Sequence, residues 1–297
     1  MADGRVIGVD VGGTKILAGI VDESGTVERH RETETPVDTQ EHVLAALDEA
    51  VEALLDDGIV ALGFGVPSQI DQRTGIVRGT VNMPLEDVRF RDRMSERFGL
   101  PCALDNDGNV AALAEHVAGA GRGEDDMLMF TLGTGCGGGA ILGGRLYRGW
   151  AEFGHIVIHV DGLECQGFCH GRGHLEPYVT GVAATRIAQE LFGPAVDSHR
   201  LVRLADEGDV LAREALAGIG HDLGAGIASM CDVFGADFVV VGGGFGYAAF
   251  EWLVPEALAT AKRDALDTAG ETLRIERAEL GTMAGLIGAG LLALREL

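Results

Sequence analysis

RVIGVDVGGTKILAGIV (Arg5–Val21) decides the fold. Two Val- and Ile-rich runs of strand length flank the turn Gly12-Gly13-Thr14. A second stretch, MLMFTLGTGCGGGAIL (Met127–Leu142), repeats the plan 121 residues later. At that shift Asp10 falls on Thr131, Gly12 on Gly133, Gly13 on Thr134 and Thr14 on Gly135. Strand, hydroxyl-bearing glycine turn and strand recur in one order, which points to a duplicated unit. Outward from these hairpins, strand readings at Thr26–Thr33, Val60–Val66, Cys102–Leu104, Phe238–Val241 and Thr272–Arg277 alternate with helix readings. The helices read as Arg89–Phe98, Val110–Val117, Ala183–Leu191, Val210–Cys231, Phe250–Leu266 and Met283–Leu297. Asp38 with Glu41 resembles a capping box, opening a helix with Leu44, Leu47, Val51 and Leu54 on one face. The alternation predicts an α/β architecture.

A turn of Gly and Thr lets backbone N–H groups approach an anion, and the hydroxyl adds a donor. Asp10 beside the first turn is suited to Mg²⁺, because hard cations take carboxylate oxygen. Lys15 either reaches a phosphate or begins the next strand facing solvent. Two nucleotide templates fail. No Gly-x-x-x-x-Gly-Lys-Ser/Thr occurs, and the Gly133-x-Gly135-x-x-Gly138 pattern runs into strand-like Ala140-Ile141-Leu142 instead of a helix. Gly242-Gly243-Gly244 lies between a strand and a helix, where a flat nucleoside could pack on bare backbone, or where the turn is merely tight.

Composition narrows the partners. With 46 acids against 23 bases the net charge is −23, a field that repels nucleic acid phosphates and anionic lipid. Only Lys15 and Lys262 among those bases are lysines, and arginine with excess acid fits a salt-adapted (halophilic) host. Apolar residues at 46 % supply a core and exclude disorder. The start Met1-Ala-Asp-Gly-Arg5 carries no apolar leader, and no run is long enough to span a bilayer, so a cytoplasmic protein without membrane contact is expected. Five Cys, an odd number, argue against a disulfide framework.

Asp10-Val-Gly-Gly-Thr-Lys15, Asn106-Asp107, Leu132-Gly-Thr-Gly-Cys-Gly-Gly138, Glu152-Phe-Gly-His155 and Leu175-Glu176 stand in the order seen in the ROK sugar kinases. The sequence resembles that family (repressors, open reading frames, kinases) from about residue 5 to its end. The resemblance implies an actin-like, ribonuclease H-like fold of duplicated domains with a cleft between them. The expected domains are 1–117, a small α/β domain on which the helix near 283–297 is a candidate to pack back, and 118–282, a larger one with a zinc loop. No helix-turn-helix precedes the first strand, which implies the kinase branch, most similar to ATP-dependent glucokinases. A homodimer or higher homo-oligomer is expected.

The resemblance puts the general base at Asp107, for which the bland alternative is a helix N-cap. Asp105 is the nearby competitor. Sugar-binding positions carry over to Asn82, Asn106, Asp107, Glu152, His155 and Glu176, with Ser68 standing where the family commonly has Gly. ATP would be held by Asp10 with Mg²⁺, by Gly12, Gly13, Thr14 and Lys15, by Thr134 and Gly135, and by Gly242, Gly243 and Gly244. Cys165-Gln-Gly-Phe-Cys169-His-Gly-Arg-Gly-His174 departs from the family's Cys-rich pattern, since a His replaces its last Cys. With His155 it offers a closed Cys₂His₂ set for structural Zn²⁺ at His155, Cys165, Cys169 and His174, and His170 is a decoy. The implied reaction moves the ATP γ-phosphate to the 6-hydroxyl of glucose, an entry step of glycolysis. Rival readings are a kinase for fructose, mannose or N-acetylmannosamine, and a sugar sensor without catalysis.

Overall fold

Val, Ile and Leu dominate β1 (Arg5–Val11) and β2 (Lys15–Val21), each interrupted by one Gly, and nearly every residue of both strands is buried. The computed structural model describes residues 4–80, 82–167 and 169–297. Two compact units emerge, Met1–Arg122 with Leu146–Trp150 and Thr282–Leu297, and Gly123–Arg145 with Ala151–Gly281.

In the first unit β2 is followed by β3 (Val27–Glu34), a mostly exposed and charged strand at the sheet edge, where charge discourages further pairing. Helix α1 (Gln40–Glu52) is capped by Thr39, whose side chain accepts from the His42 backbone N–H. Asp38, the expected cap, instead contacts the His42 ring at 2.7 Å. β4 (Ile59–Val66) runs parallel to β1. Next come β5 (Ser68–Asp71), β6 (Ile76–Thr80) and β7 (Glu86–Arg89), an antiparallel three-stranded sheet that hydrophobic periodicity did not reveal. Helix α2 (Phe90–Phe98) ends at Gly99, whose φ of 68° suits a residue without Cβ. β8 (Cys102–Asn106) and α3 (Asp107–Ala118) complete the series. The main sheet has the order β3-β2-β1-β4-β8. The C-terminal helix Ala284–Glu296 packs on it so closely that a Cβ at Gly63 would overlap the Ala289 carbonyl. Phe64 and Phe90 meet edge to face in the core beneath.

The second unit contains β9 (Met127–Leu132) and β10 (Cys136–Leu142), and the two-residue β11 (Arg145–Leu146) ends its first stretch of chain at Arg145. It continues with α4 (Glu176–Val179), α5 (Gly181–Phe192), α6 (Ser198–Asp206) and the long α7 (Val210–Phe234). After these come β12 (Phe238–Gly242), α8 (Gly244–Asp264), α9 (Asp267–Thr272) and β13 (Arg274–Arg277). Its sheet order, β11-β10-β9-β12-β13, reproduces the first in topology, and its β10-β9, β9-β12 and β12-β13 pairings match the first in strand sense. The sequence repeat is therefore a structural one, with one correction. Gly12–Lys15 separate the paired Val11 and Ile16, whereas only Gly133–Gly135 separate the paired Leu132 and Cys136. The second turn is one residue shorter, so the shift of 121 ceases to match backbone positions beyond it.

Helix α8 starts six residues before its expected beginning, at Gly244 instead of Phe250. The first unit continues past residue 117 to Arg122 and takes in Leu146–Trp150. No helix among the described residues is long and apolar enough to cross a membrane.

Candidate active site

The turn after β1 closes on itself, because Gly12 N–H donates to the Lys15 carbonyl at 2.9 Å. The Gly12 amide is thus engaged by the turn, against the expectation that it serves a phosphate. Thr35, which the sequence did not flag, buttresses the same turn. Its hydroxyl donates to Gly12 O at 2.7 Å and its N–H to Thr14 O at 3.0 Å. Asn82 packs on Gly13 so closely that no Cβ fits there. Lys15 Nζ lies 2.8 Å from Glu32 on β3, so its charge is paired across the sheet edge and not held toward the turn. Asp10 stands at the end of β1 against Gly285, whose missing Cβ leaves room for the carboxylate. Burial first, and the neighbouring Asp107 charge second, raise its pKa to about 7, while Lys15 opposes the rise.

Asp107 is the first residue of α3, but Asn106 is the cap: its side-chain oxygen accepts from Gly108 N–H at 2.8 Å. The bland reading of Asp107 as the N-cap therefore falls. Its carboxylate accepts from Gly108 N–H at 2.9 Å, and burial holds its pKa above the ordinary carboxylate value. A raised pKa suits proton acceptance near neutrality. Asp105 is eliminated as competitor, being fully buried and bonded to Gln72, Asn106 N–H, Asn109 and Arg148. Ser68 is buried, with its hydroxyl donated to Gly79 O at 2.6 Å, so the expected sugar contact is replaced by a strand-pairing role. Its carbonyl accepts from Asn106 Nδ2 at 3.3 Å.

In the second unit the turn also closes through its first amide, Gly133 N–H to Gly135 O at 2.9 Å. Glu176, first residue of α4, accepts from Cys136 N–H through Oε2 at 2.9 Å. Gly154 lies against the Cys136 carbonyl with no space for a Cβ. The glycine turn, the short 3₁₀ turn Phe153–His155 after Glu152, and Glu176 are thereby locked together. Cys136 itself is buried, which raises its thiol pKa and leaves it a filler.

His155, Cys165, Cys169 and His174 converge with all four ligand atoms within 4.8 Å of one another. The two Nδ1 atoms are 3.3 Å apart, Cys165 Sγ is 3.5 Å from His155 Nδ1, and Cys169 Sγ is 3.6 Å from His174 Nδ1. Tetrahedral zinc, with bonds of about 2.05 Å to nitrogen and 2.3 Å to sulfur, spaces its ligand atoms about 3.3 to 3.8 Å apart. The donor set fits that ion. His170 is exposed and outside the cluster.

A cavity of about 580 Å³ opens between α5, α6 and the start of α8. Gly133, Thr134 and Gly244 line it with Thr185, Gln189 and His199, which sequence reasoning missed. Asp197 as a cap with Leu201, Val202 and Ala205 behind it was the available signal for α6. Of the glycine triplet only Gly244 faces the cavity. Gly242 lies against Ala278 and Met129, and Gly243, at φ 79°, turns tightly over the Leu132 backbone.

The model of the ROK family matches residues 6–296. A glucokinase from Streptomyces coelicolor is 32 % identical, over 98 % of this chain and 98 % of its own. The ROK hexokinase of Thermus thermophilus superposes with a TM-score of 0.85 at 36 % identity, covering 98 % of each chain. A ROK family glucokinase from Streptomyces griseus, solved with glucose and AMPPNP, gives 0.82 at 33 % identity, covering 98 % of this chain and all of the other.

Proposed function

The chain belongs to the ROK family, and on that footing we propose that it is an ATP-dependent hexose kinase acting on the 6-hydroxyl of glucose. The observation that carries this reading is Asp107, a carboxylate with raised pKa at a helix start, freed from capping by Asn106. As the sugar oxygen bonds the γ-phosphorus, Asp107 takes its proton and ADP leaves. Asn82, Asn106, Glu152, His155 and Glu176 hydrogen-bond sugar hydroxyls and orient the reacting one. His155 has two roles, with Nδ1 in the metal cluster and Nε2 left for the sugar. Gly13, Thr14, Thr134 and Gly135 offer donors to the phosphates, and the cavity beside Gly244 takes the nucleoside.

Asp10, at the end of β1 beside the first glycine turn, would hold Mg²⁺, which neutralises phosphate charge when bound. Structural Zn²⁺ at His155, Cys165, Cys169 and His174 would stiffen the loop between Glu152 and Glu176. A cytoplasmic homo-oligomer in a saline host completes the reading.

Asp107→Asn tests it. Turnover should fall by about 10² to 10⁴ while glucose affinity, by calorimetry, stays within about tenfold. Near-normal kcat would remove the base. A panel of glucose, fructose, mannose and N-acetylmannosamine, ranked by kcat/KM with ATP, tests the substrate, and a sugar other than glucose at the top would correct it.

A further inference from the structure

We propose that Arg148 is a positioning residue for Asp107, acting through the buried carboxylate of Asp105. The inference rests on the reading of Asp107 as base. Asp105 is 0 % exposed, and a carboxylate so placed needs both charge and hydrogen bonds. Its Oδ1 accepts from Gln72 Nε2 at 2.9 Å, Asn109 Nδ2 at 2.9 Å and Asn106 N–H at 2.8 Å. Its Oδ2 accepts from Arg148 Nε at 2.9 Å.

The guanidinium does more than neutralise. One terminal nitrogen donates to the Leu104 carbonyl at 2.9 Å and to Gln72 Oε1 at 2.5 Å, and the other pairs with Glu296 on the C-terminal helix. Leu104, Asp105, Asn106 and Asn109 flank Asp107 on both sides, and all are held by this one network. Asp107 is the member of the strand-to-helix junction that stays outside it. Holding the Leu104 carbonyl and Asn106 N–H before a carboxylate and the Asn109 side chain after it fixes its direction, while of its own oxygens only Oδ1 has a described partner, Gly108 N–H, which is what a base needs. Arg148 reaches this place on Leu146–Trp150, a five-residue segment of the first unit whose chain neighbours on both sides belong to the second. A lysine could supply the charge but not the planar fork that reaches carboxylate, carbonyl and amide oxygen together.

The bland alternative is that Arg148 only offsets a buried charge. Full-length Arg148→Met, Arg148→Lys, Asp105→Asn/Arg148→Met and Asp107→Asn separate the two by steady-state kinetics and thermal melts. Arg148→Met should lower kcat about 30-fold or more with KM for ATP within about threefold, and Arg148→Lys should lose about five- to tenfold. The double variant removes the stranded charge, so its melting temperature should return toward that of the unmodified protein while kcat stays at least about tenfold low. Recovery of kcat together with melting temperature would overturn the proposal, as would kcat within about threefold of normal in Arg148→Met. If Arg148→Met fails to fold, kcat of the double and lysine variants decides: low in both supports the positioning role, and near normal in both overturns it. An active Asp107→Asn would overturn the base and this inference together. An inactive Asp107→Asn beside normal Arg148 variants would overturn this inference alone.

Discussion

The hairpins β1–β2 and β9–β10 share topology, strand sense and a turn that closes through its first glycine, yet they carry different chemistry. The first places the carboxylate of Asp10 before its turn, and the second places the hydroxyl of Thr131 at the equivalent point. Thr35 and Asn82 brace the first turn, while Gly181 N–H, at 2.8 Å from Gly133 O, and Glu176 brace the second. Both copies keep the same backbone device, a glycine turn closed by its own first amide. The carboxylate of Asp10 occurs in one copy, and the Cys and His cluster in the other. Backbone geometry and side-chain charge therefore diverged independently.

Substituting the unlike pair tests this contrast most severely. Asp10→Asn should reduce kcat by about 10²-fold or more, whereas Thr131→Val should stay within about threefold. Equal losses would mean that both turns rely on the same kind of group. The next largest effect belongs to the Cys and His cluster of the second unit. Cys169→Ser should raise KM for glucose about tenfold and lower the melting temperature, because Glu152 and Glu176 flank the loop, while His170→Ala stays silent. Elemental analysis should find one Zn²⁺ per chain, and less than about 0.2 with full activity in chelator would reduce the cluster to thiols and imidazoles.

A smaller effect concerns stability against pH in the absence of nucleotide and metal. The folded state raises the Asp10 pKa from 3.8 to about 7, so it binds that proton more tightly than the unfolded chain does. Stability from this group is present below pH 3.8 and is lost as pH climbs toward 7, by on the order of a few kcal/mol. Asp10→Asn should remove that slope in urea melts and be the more stable protein at pH 8. Identical slopes for both proteins would show that Asp10 is solvated. The smallest expected change is with salt. At a net charge of −23, screening should lift the melting temperature by several degrees between low and molar KCl. A flat response would make the acidity incidental to a saline host.

Both hairpins, their repetition and the soft-ligand cluster were legible in the sequence, because hairpin and cluster each lie within one short stretch and the repeat is a likeness between two such stretches. A Val/Ile run beside a glycine turn makes a hairpin from local preference, and His155 with Cys165, Cys169 and His174 spans one loop. The Asn106-Asp107 pair was legible too, but not the division of labour within it. Which side chain caps α3 depends on Asn106 also reaching the Ser68 carbonyl 38 residues away. Tertiary structure alone paired Lys15 with Glu32, buried Gly242, turned Gly243 tightly over the Leu132 backbone, and built the cavity from α5 and α6. The same holds for Arg148 and Asp105, paired across 43 residues. Alternation and spacing report which elements form and which face each residue takes. They carry no information on which distant group fills the space opposite, and that contact decides whether a polar side chain is engaged or left to react.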